Sequence, residues 1–401
     1  MDISHSRLIA GCMTGTSLDG LDAALVRVHR NGLEMTTEFV GLMSIEFDAP
    51  LRETLVHLAS GEAAKPLVYM QAARALGQMH ADAVEQLLAE HPADTPDFVV
   101  AHGQTICHAP GSAGIPGNSG TPKNGGTSGK REALSGVNDV PVPGMSWQLF
   151  DPWPMVHQLG VPVCYDLRQA DLIAGGQGAP ITPIADWVMY RDRAQWVINL
   201  GGICNGTYLH SRADQIKGAD FWPCNLLLDG LCARLFNQPF DIDGQMAAQG
   251  EVLPALLRIL AHEVDTTIGS APNPSLGREQ FSPDWLDALL EKMRAHGGPH
   301  DILRTAAHMV ALAIRRRVDR PGEQPVAIAG GGVKNLTLVS EIRELVIRPA
   351  ITSDELGIPC QAREAMAFAV LGALSQDGVP ITLPQVTGAQ APGVAGVWAR
   401  P

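Results

Sequence analysis

The chain has 401 residues, 45% of them hydrophobic and 18% charged, which is typical of an ordered globular protein. Its 42 acidic and 29 basic residues give a formal net charge of -13, which argues against nucleic acid or an anionic membrane as a partner. Seven scattered cysteines without a Cys-x-x-Cys pair exclude a disulfide framework and a zinc motif. No leader sequence and no apolar run of about 18 residues is visible, so we expect a cytoplasmic protein.

The first predicted element is a hairpin, "LIAGCMTGTSLDGLDAALVRV", at residues 8–28. Two apolar strands flank a turn that is rich in hydroxyl residues and contains Gly15 and Gly20. The glycines allow close approach to the backbone, and outward-facing amides and hydroxyls suit phosphate oxygens. A hairpin turn without a ligand is the alternative.

The next segment with a clear period is residues 66–91, where apolar residues at helical spacing predict a long helix. "DFVVAHGQT" then predicts a buried strand that runs into a polar turn. Residues 109–144 are dense in Gly, Pro, Ser and Asn, which predicts a disordered insertion. Strand-like sequence resumes at "VPVCYD", where Cys164 is predicted to be a buried thiol.

The second half repeats the opening pattern. "QWVINLGGICNGTYL" at 195–209 predicts strand, glycine turn and strand, and "PVAIAGGGVKN" at 325–335 predicts a strand that ends in three glycines. Helices are predicted at "DILRTAAHMVALAIRRRVDR" and "EAMAFAVLGAL". The pattern predicts an α/β chain with two similar halves, which we place at 1–195 and 196–401.

Three glycine turns in one chain favour a nucleotide-binding site. The sequence contains no Gly-x-x-x-x-Gly-Lys-Ser/Thr motif, and no Gly-x-Gly-x-x-Gly opens a helix near the N-terminus. Neither a P-loop nor a dinucleotide fold is therefore expected.

Five segments together resemble one family: "GCMTGTSLDGLDAAL", "AHGQTICH", "YDLRQADLIAGGQGAP", "INLGGICN" and "EAMAFAVLG". In this order they are similar to the anhydro-N-acetylmuramic acid kinase family of the sugar kinase/Hsp70/actin superfamily. The resemblance implies two ribonuclease-H-like lobes with ATP in the cleft between them, and a homodimer. It also implies that the last residues return to the N-terminal lobe.

The resemblance assigns nucleotide contacts to the glycine turns. It implies that the ATP phosphates are lined by Thr14, Gly15, Thr16, Ser17, Leu18, Asp19, Gly20 and Leu21. The second phosphate turn would be Gly201 and Gly202, and the adenosine would lie beside Gly330, Gly331 and Gly332. Asp19 would hold Mg²⁺ through water, because a carboxylate near phosphate oxygens suits a hard cation.

The activity that the resemblance implies is the opening of a 1,6-anhydro sugar ring by water, with transfer of the ATP γ-phosphoryl group to the released O6. Two carboxylates suit such a reaction, as in inverting glycoside hydrolysis. The matching positions are Asp220 as general base and Glu364 as its partner in placing the water. From the residues alone, Asp220 is an acid in a loop and Glu364 an acid on a helix, and either could be structural or solvated.

The sugar contacts implied by the resemblance are His102, Gln104, Arg168, Asp171 and Asn225. An arginine can hold a carboxylate with two parallel hydrogen bonds. An Arg–Asp pair that locks the loop is the alternative for Arg168 and Asp171, and a satisfied core histidine is the alternative for His102.

The chain departs from the family pattern at "DFWPCN", where Trp222 and Cys224 replace two glycines. Bulky side chains at these positions are expected to reshape the sugar pocket. The alternatives to the main function are therefore a related kinase with a shifted sugar substrate and a nucleotide-binding sensor that has lost catalysis.

Overall fold

A computed structural model describes residues 6–15, 18–92, 95–109, 144–268, 276, 278–319 and 322–401. Nearly all of the predicted insertion lies outside the described residues, so its disorder stays a prediction. By its internal packing the chain divides into unit 1, Met1–Met189 with Glu364–Pro401, and unit 2, Tyr190–Arg363.

The strands and helices are numbered in chain order. The strands are β1 (Ser6–Thr14), β2 (Gly20–His29), β3 (Thr36–Glu46), β4 (Phe98–Ala101), β5 (Gln104–Ala109), β6 (Met145–Leu149), β7 (Val163–Tyr165), β8 (Trp196–Leu200), β9 (Ile203–Tyr208), β10 (Lys217–Pro223), β11 (Val326–Ala329), β12 (Ala350–Thr352) and β13 (Val397–Ala399). The helices are α1 (Ala49–Ala59), α2 (Pro66–Glu90), α3 (Trp153–Leu159), α4 (Gln169–Ile173), α5 (Pro183–Tyr190), α6 (Asn225–Phe236), α7 (Gln245–Ala248), α8 (Pro254–Ile268), α9 (Pro283–Arg294), α10 (Pro299–Val318), α11 (Leu336–Leu345), α12 (Arg363–Gln376) and α13 (Pro384–Thr387).

Unit 1 is built on a sheet with the order β13-β7-β4-β1-β2-β3. The pairs β1–β2 and β2–β3 are antiparallel, whereas β4 runs parallel to β1 and to β7. β1 is an almost unbroken apolar run whose middle residues are all buried, as is typical of a central strand that is covered on both faces. A separate two-stranded sheet joins β5 and β6.

Helix α12 packs on the central strands of unit 1 at very short range. A Cβ atom added at Gly11 would overlap the Ala365 carbonyl oxygen and lie 2.7 Å from the Ala369 nitrogen. Only a strand residue without a side chain permits this approach, and the alanine-rich face of the helix supports it.

Unit 2 has a five-stranded sheet with the order β10-β9-β8-β11-β12. Here β8–β9 and β9–β10 are antiparallel, and β11 is parallel to both β8 and β12. Its core lies between the sheet and α6, α8, α9 and α10, and the predicted apolar face of α10 is buried in it. The β3-β2-β1-β4-β7 part of unit 1 has the same order and strand directions. The predicted α/β class with ribonuclease-H-like halves is thus confirmed.

Most sequence-derived elements are present, including the long helix, the two glycine-turn hairpins and the strand before the glycine triplet. Cys164 is buried as predicted, all seven cysteines are free thiols, and only Cys107 is exposed. One prediction is wrong. Asp220 is not in a loop but on strand β10.

Candidate active site

The first residues of the turn between β1 and β2 are tied to the polar turn that follows β4. Thr14 is 1% exposed, and its hydroxyl donates a hydrogen bond of 2.7 Å to the Gly103 carbonyl. The Gln104 side-chain amide donates to the Gly15 carbonyl at 3.1 Å. Two residues predicted to contact different ligands, Gly15 and Gln104, therefore lie together.

The rest of this turn divides into buried and exposed parts. Leu18 has a positive φ of 58° and, like Leu21, buries its side chain in the core of unit 1. A Cβ at Gly20 would lie 2.5 Å from the Ile45 carbonyl oxygen. Asp19 is exposed, and Thr16 and Ser17 lie outside the described residues. Leu18 and Leu21 could therefore reach a phosphate only through their backbone.

The turn between β8 and β9 is tied to the first residues of α6. The Asn225 N–H donates to the Gly201 carbonyl at 3.0 Å, and the Cys224 and Leu226 N–H groups both donate to the Gly202 carbonyl. A side chain at Gly202 would approach Leu226 to 3.2 Å. The close fit explains why this turn carries glycines.

The glycine triplet after β11 lies beside the same turn. Gly330 has a φ of 86°, and a Cβ at Gly332 would be 2.7 Å from the Leu200 Cβ and 3.1 Å from the Asn225 Oδ1. The Asn225 amide also donates to the Leu200 carbonyl at 3.1 Å. The structure thus brings together the glycines of unit 2 that were predicted to hold nucleotide, and it adds Asn225, which was predicted to contact the sugar.

Asp220 occupies an irregular position in unit 2. It faces Asn205 across the β9–β10 pair, and a bulge follows between Asp220 and Trp222. The carboxylate accepts a hydrogen bond of 2.8 Å from the Leu276 N–H. Burial raises the pKa of Asp220 to about 6, and that hydrogen bond acts in the opposite direction. The group is thus ready to take up or release a proton near neutral pH.

The two residues near Asp220 that differ from the family pattern, Trp222 and Cys224, face inward. Trp222 is 3% exposed and Cys224 is fully buried, and both side chains belong to the core of unit 2. The indole nitrogen of Trp222 has no hydrogen-bond partner among the described residues. Both side chains occupy core volume, and the expected reshaping of the sugar pocket stays a prediction.

Glu364 and Arg168 both belong to unit 1. Glu364 is a half-buried residue in the first turn of α12, as predicted for an acid on a helix. Arg168 lies at the N-terminus of α4. Burial lowers the pKa of Arg168 to about 10, while the nearby charges of Glu364 and Asp171 act in the opposite direction. The guanidinium therefore stays charged, and Glu364 contributes to this.

The Arg168 side chain has two fixed partners. Its Nε–H donates to the His102 Nε2 at 2.9 Å, and its Nη1 donates to the Gly178 carbonyl at 2.7 Å. His102 is 5% exposed, and its ring contacts Phe368 with 4.8 Å between centroids. Burial and the Arg168 charge hold the pKa of His102 well below its usual value. His102 is therefore a neutral acceptor.

Asp171 has no exposed surface, and its charge acts to raise the pKa of Arg168. Its carboxylate accepts hydrogen bonds from the Gly178 N–H at 2.7 Å and from the Thr387 hydroxyl at 2.6 Å. Arg168 therefore binds the carbonyl of Gly178, and Asp171 binds the N–H of the same residue. A direct contact of Asp171 with sugar stays a prediction.

The described residues were also searched for metal ligands and for helices that could span a membrane. Within these segments, no three His, Cys, Asp or Glu side chains are close enough to hold a metal ion. The exposed Asp19 fits a cation that takes its other ligands from water and phosphate. None of the helices in the described part of the chain is long and apolar enough to span a bilayer.

The sequence did not single out Phe368 or Thr387, which support His102 and Asp171. Phe368 follows Glu364 by one helical turn within "EAMAFAVLG", but its residue type is that of any core position. Thr387 lies in the short helix α13, far along the chain from Asp171. Neither position carries a local signal of the contact that it makes.

Comparison with known proteins gives the same family over nearly the whole chain. The family described as anhydro-N-acetylmuramic acid kinase matches residues 7–116 and 139–400. The anhydro-N-acetylmuramic acid kinase of Salinibacter ruber is 36% identical, with 96% of this chain and 94% of the relative covered. That of Bordetella parapertussis is 34% identical, with 97% and 95% covered, and that of Synechococcus sp. is 32% identical, with 98% and 99% covered. The chain belongs to the anhydro-N-acetylmuramic acid kinase family.

Proposed function

We propose that this chain is an ATP-dependent kinase that opens 1,6-anhydro-N-acetylmuramic acid with water and phosphorylates O6. The products are N-acetylmuramic acid 6-phosphate and ADP, as in the recycling of murein amino sugars. Membership of a kinase family supports a phosphotransferase with an alcohol acceptor. The observation that carries the proposal in this chain is the carboxyl of Asp220, whose pKa of about 6 suits a general base.

In this proposal Asp220 takes a proton from the water that attacks the anomeric carbon. The bond between that carbon and O6 breaks, and O6 accepts the γ-phosphoryl group of ATP. The partial burial of Asp220 supports this role, because a weakly solvated carboxylate accepts a proton more readily. We assign Glu364 to the placing of the same water.

We assign the ATP phosphates to the β1–β2 turn and to Gly201 and Gly202. The adenosine is assigned to the glycine triplet at 330–332. The exposed backbone of Gly331 supports this assignment, since a bound group could approach it without displacing protein atoms. Asp19 is the residue that would hold Mg²⁺ through water, where the ion would neutralise phosphate charge.

For the sugar we assign Arg168 to the lactyl carboxylate. Two of the five N–H donors of its guanidinium are used by His102 and Gly178. The three that remain are enough for a bidentate contact with a carboxylate. His102, Gln104, Asp171 and Asn225 are assigned to the surroundings of the sugar, where the described contacts of His102 and Asp171 support a holding role.

We further propose that units 1 and 2 are the two lobes of the kinase and that the protein is a cytoplasmic homodimer. The return of residues 364–401 to unit 1 supports the lobe assignment. The dimer and the location rest on the family resemblance alone.

The test is to incubate the purified protein with ATP, Mg²⁺ and a panel of anhydro and ordinary amino sugars, and to measure ADP release. We expect release with 1,6-anhydro-N-acetylmuramic acid and a new phosphate monoester on its O6. Release with a different sugar only would indicate a shifted substrate. Nucleotide binding without release for any sugar would indicate a sensor that has lost catalysis.

A further inference from the structure

One edge of the Arg168 guanidinium is held by a neutral histidine, which accepts its hydrogen bond. The Nε–H of Arg168 points at the His102 Nε2, at 2.9 Å. Because that nitrogen accepts, the proton of the neutral imidazole must be on Nδ1. Backbone groups of Gly103 and Thr14 act on the ring as well, and the Arg168 contact is its side-chain hydrogen bond within the described residues.

The His102 ring is itself placed by rigid surroundings. Its backbone N–H donates to the Cys12 carbonyl at the end of β1, at 3.1 Å, and its ring contacts Phe368 on α12. The next residue, Gly103, has a φ of 74°, and its carbonyl accepts from Thr14. His102 is therefore anchored to the strand that leads into the predicted phosphate turn, whereas Arg168 lies in a separate loop.

The second contact of Arg168 leaves the guanidinium one free edge. Gly178 accepts from Nη1 and donates its N–H to the buried Asp171, so its carbonyl cannot swing away. These two hydrogen bonds engage Nε and Nη1 and not Nη2, and the charges of Glu364 and Asp171 also act on the guanidinium. A guanidinium held at two points presents its remaining donors in one fixed direction, which lowers the entropy cost of binding a carboxylate.

We propose that His102 is a positioning residue, which fixes the Arg168 guanidinium for the carboxylate of the sugar substrate. The inference rests on the proposed function for the identity of the sugar. It does not depend on that function for the contact itself. His102 touches neither the sugar nor the nucleotide in this role and acts only through Arg168.

The first test measures the contact directly. In protein labelled with ¹⁵N-arginine, the Arg168 Nε–H signal is assigned by its loss in Arg168→Lys, and its exchange with water is measured. His102→Phe keeps a ring against Phe368 but removes the acceptor, and His102→Gln restores an acceptor. We expect exchange at least about tenfold faster in His102→Phe and near-native exchange in His102→Gln. Unchanged exchange in His102→Phe would overturn the proposal.

The second test uses two sugars, 1,6-anhydro-N-acetylmuramic acid and the analogue that lacks the lactyl group. For the first sugar we expect KM to rise by about tenfold in His102→Phe, with a smaller change in kcat and recovery in His102→Gln. For the second sugar the ratio of mutant to native KM should stay near one. An equal rise for both sugars would show a merely structural role. If the native protein turned over neither sugar, the proposed function would fall, and the exchange measurement would still decide the role of His102.

Discussion

The carboxylate of Asp171 accepts a hydrogen bond of 2.6 Å from the hydroxyl of Thr387, a residue 216 positions further along the chain. The other carboxylate oxygen accepts from the Gly178 N–H, and the side chain has no exposed surface. One buried group therefore fixes both the glycine-rich loop and the segment at α13 within unit 1.

We expect Asp171→Ala to lower the free energy of unfolding by about 2–4 kcal/mol, because two buried donors lose their acceptor. The measurement is denaturation by urea, followed by the fluorescence of tryptophans in each unit. Asp265→Ala, at an exposed position of α8, is the matched control and should change stability by less than about 0.5 kcal/mol. Equal effects of the two substitutions would contradict the role given to Asp171.

The raised pKa of Asp220 leads to a prediction about catalytic activity and its dependence on pH. We expect Asp220→Asn to lower kcat by about a hundred- to ten-thousand-fold, since an amide cannot take the proton, with ATP affinity nearly unchanged. Native kcat/KM should fall as pH drops through about 6. Glu364→Gln should lose less, and the double variant should fall short of the product of the single losses, because both are proposed to act on one water. Native turnover in Asp220→Asn would move the base elsewhere.

The ionised carboxyl of Asp220 should also lower the free energy of unfolding of the native protein at neutral pH. Its folded pKa of about 6 lies above its ordinary value of 3.8, so the folded state disfavours the ionised form. The contribution of Asp220 to stability is full below the ordinary value and is lost as pH rises through about 6. Asp220→Asn stays neutral and can still accept from Leu276. It should therefore melt at a higher temperature than the native protein near pH 8, and the difference should vanish below about pH 4.

The glycine triplet offers a matched pair of substitutions. A Cβ at Gly331 would meet nothing closer than the Asn225 Nδ2 at 3.9 Å, whereas a Cβ at Gly332 would lie 2.7 Å from the Leu200 Cβ. We expect Gly331→Val to keep the native melting temperature and to weaken ATP binding at least about tenfold, as measured by calorimetry. Gly332→Ala should destabilise unit 2. Native ATP affinity in a folded Gly331→Val variant would place the adenosine elsewhere.

Because Cys224 is buried in the core, we expect it to have no effect on the preference for one sugar over another. Cys224→Gly, which restores the family residue, should lower stability by about 1–2 kcal/mol through lost packing and added backbone freedom. The ratio of kcat/KM values between sugars should not change, because the side chain lies in the core. Cys107→Ser, at the exposed cysteine, is the control for stability. A tenfold change in sugar preference with an intact fold would revive the shifted-substrate alternative.

The hairpins and long helices could be predicted because their signals are local. Apolar residues at strand or helix spacing, interrupted by glycine, define β8, β9 and α10 without reference to the rest of the chain. Strand β10 was missed because its sequence, "KGADFWP", contains Gly, Asp and Pro, which favour turns. It is an edge strand with a bulge, where such residues are tolerated.

The sequence predicts candidate positions for the site but not how their side chains are arranged. The bulge after Asp220 sets which side chains face the core, and no pattern in the sequence marks it, so the burial of Trp222 in the core of unit 2 was not predicted. The contact between His102 and Arg168 joins residues 66 positions apart. It depends on the placing of β4 and α4 by the sheet of unit 1, which local spacing does not encode.

Unit 1 is interrupted in the chain, since unit 2 occupies Tyr190–Arg363 and the rest of unit 1 follows. Strand β13 pairs with β7, Arg7 forms an ion pair with Asp377 at 2.6 Å, and α12 covers β1. A ribosome has therefore completed every residue of unit 2 before it makes the helix that buries the first strand of unit 1. During synthesis unit 2, which is continuous in the chain, can fold first. The N-terminal strands of unit 1 meanwhile keep apolar surface exposed. Slow translation of the last part of the message would lengthen that wait and favour aggregation of the nascent chain.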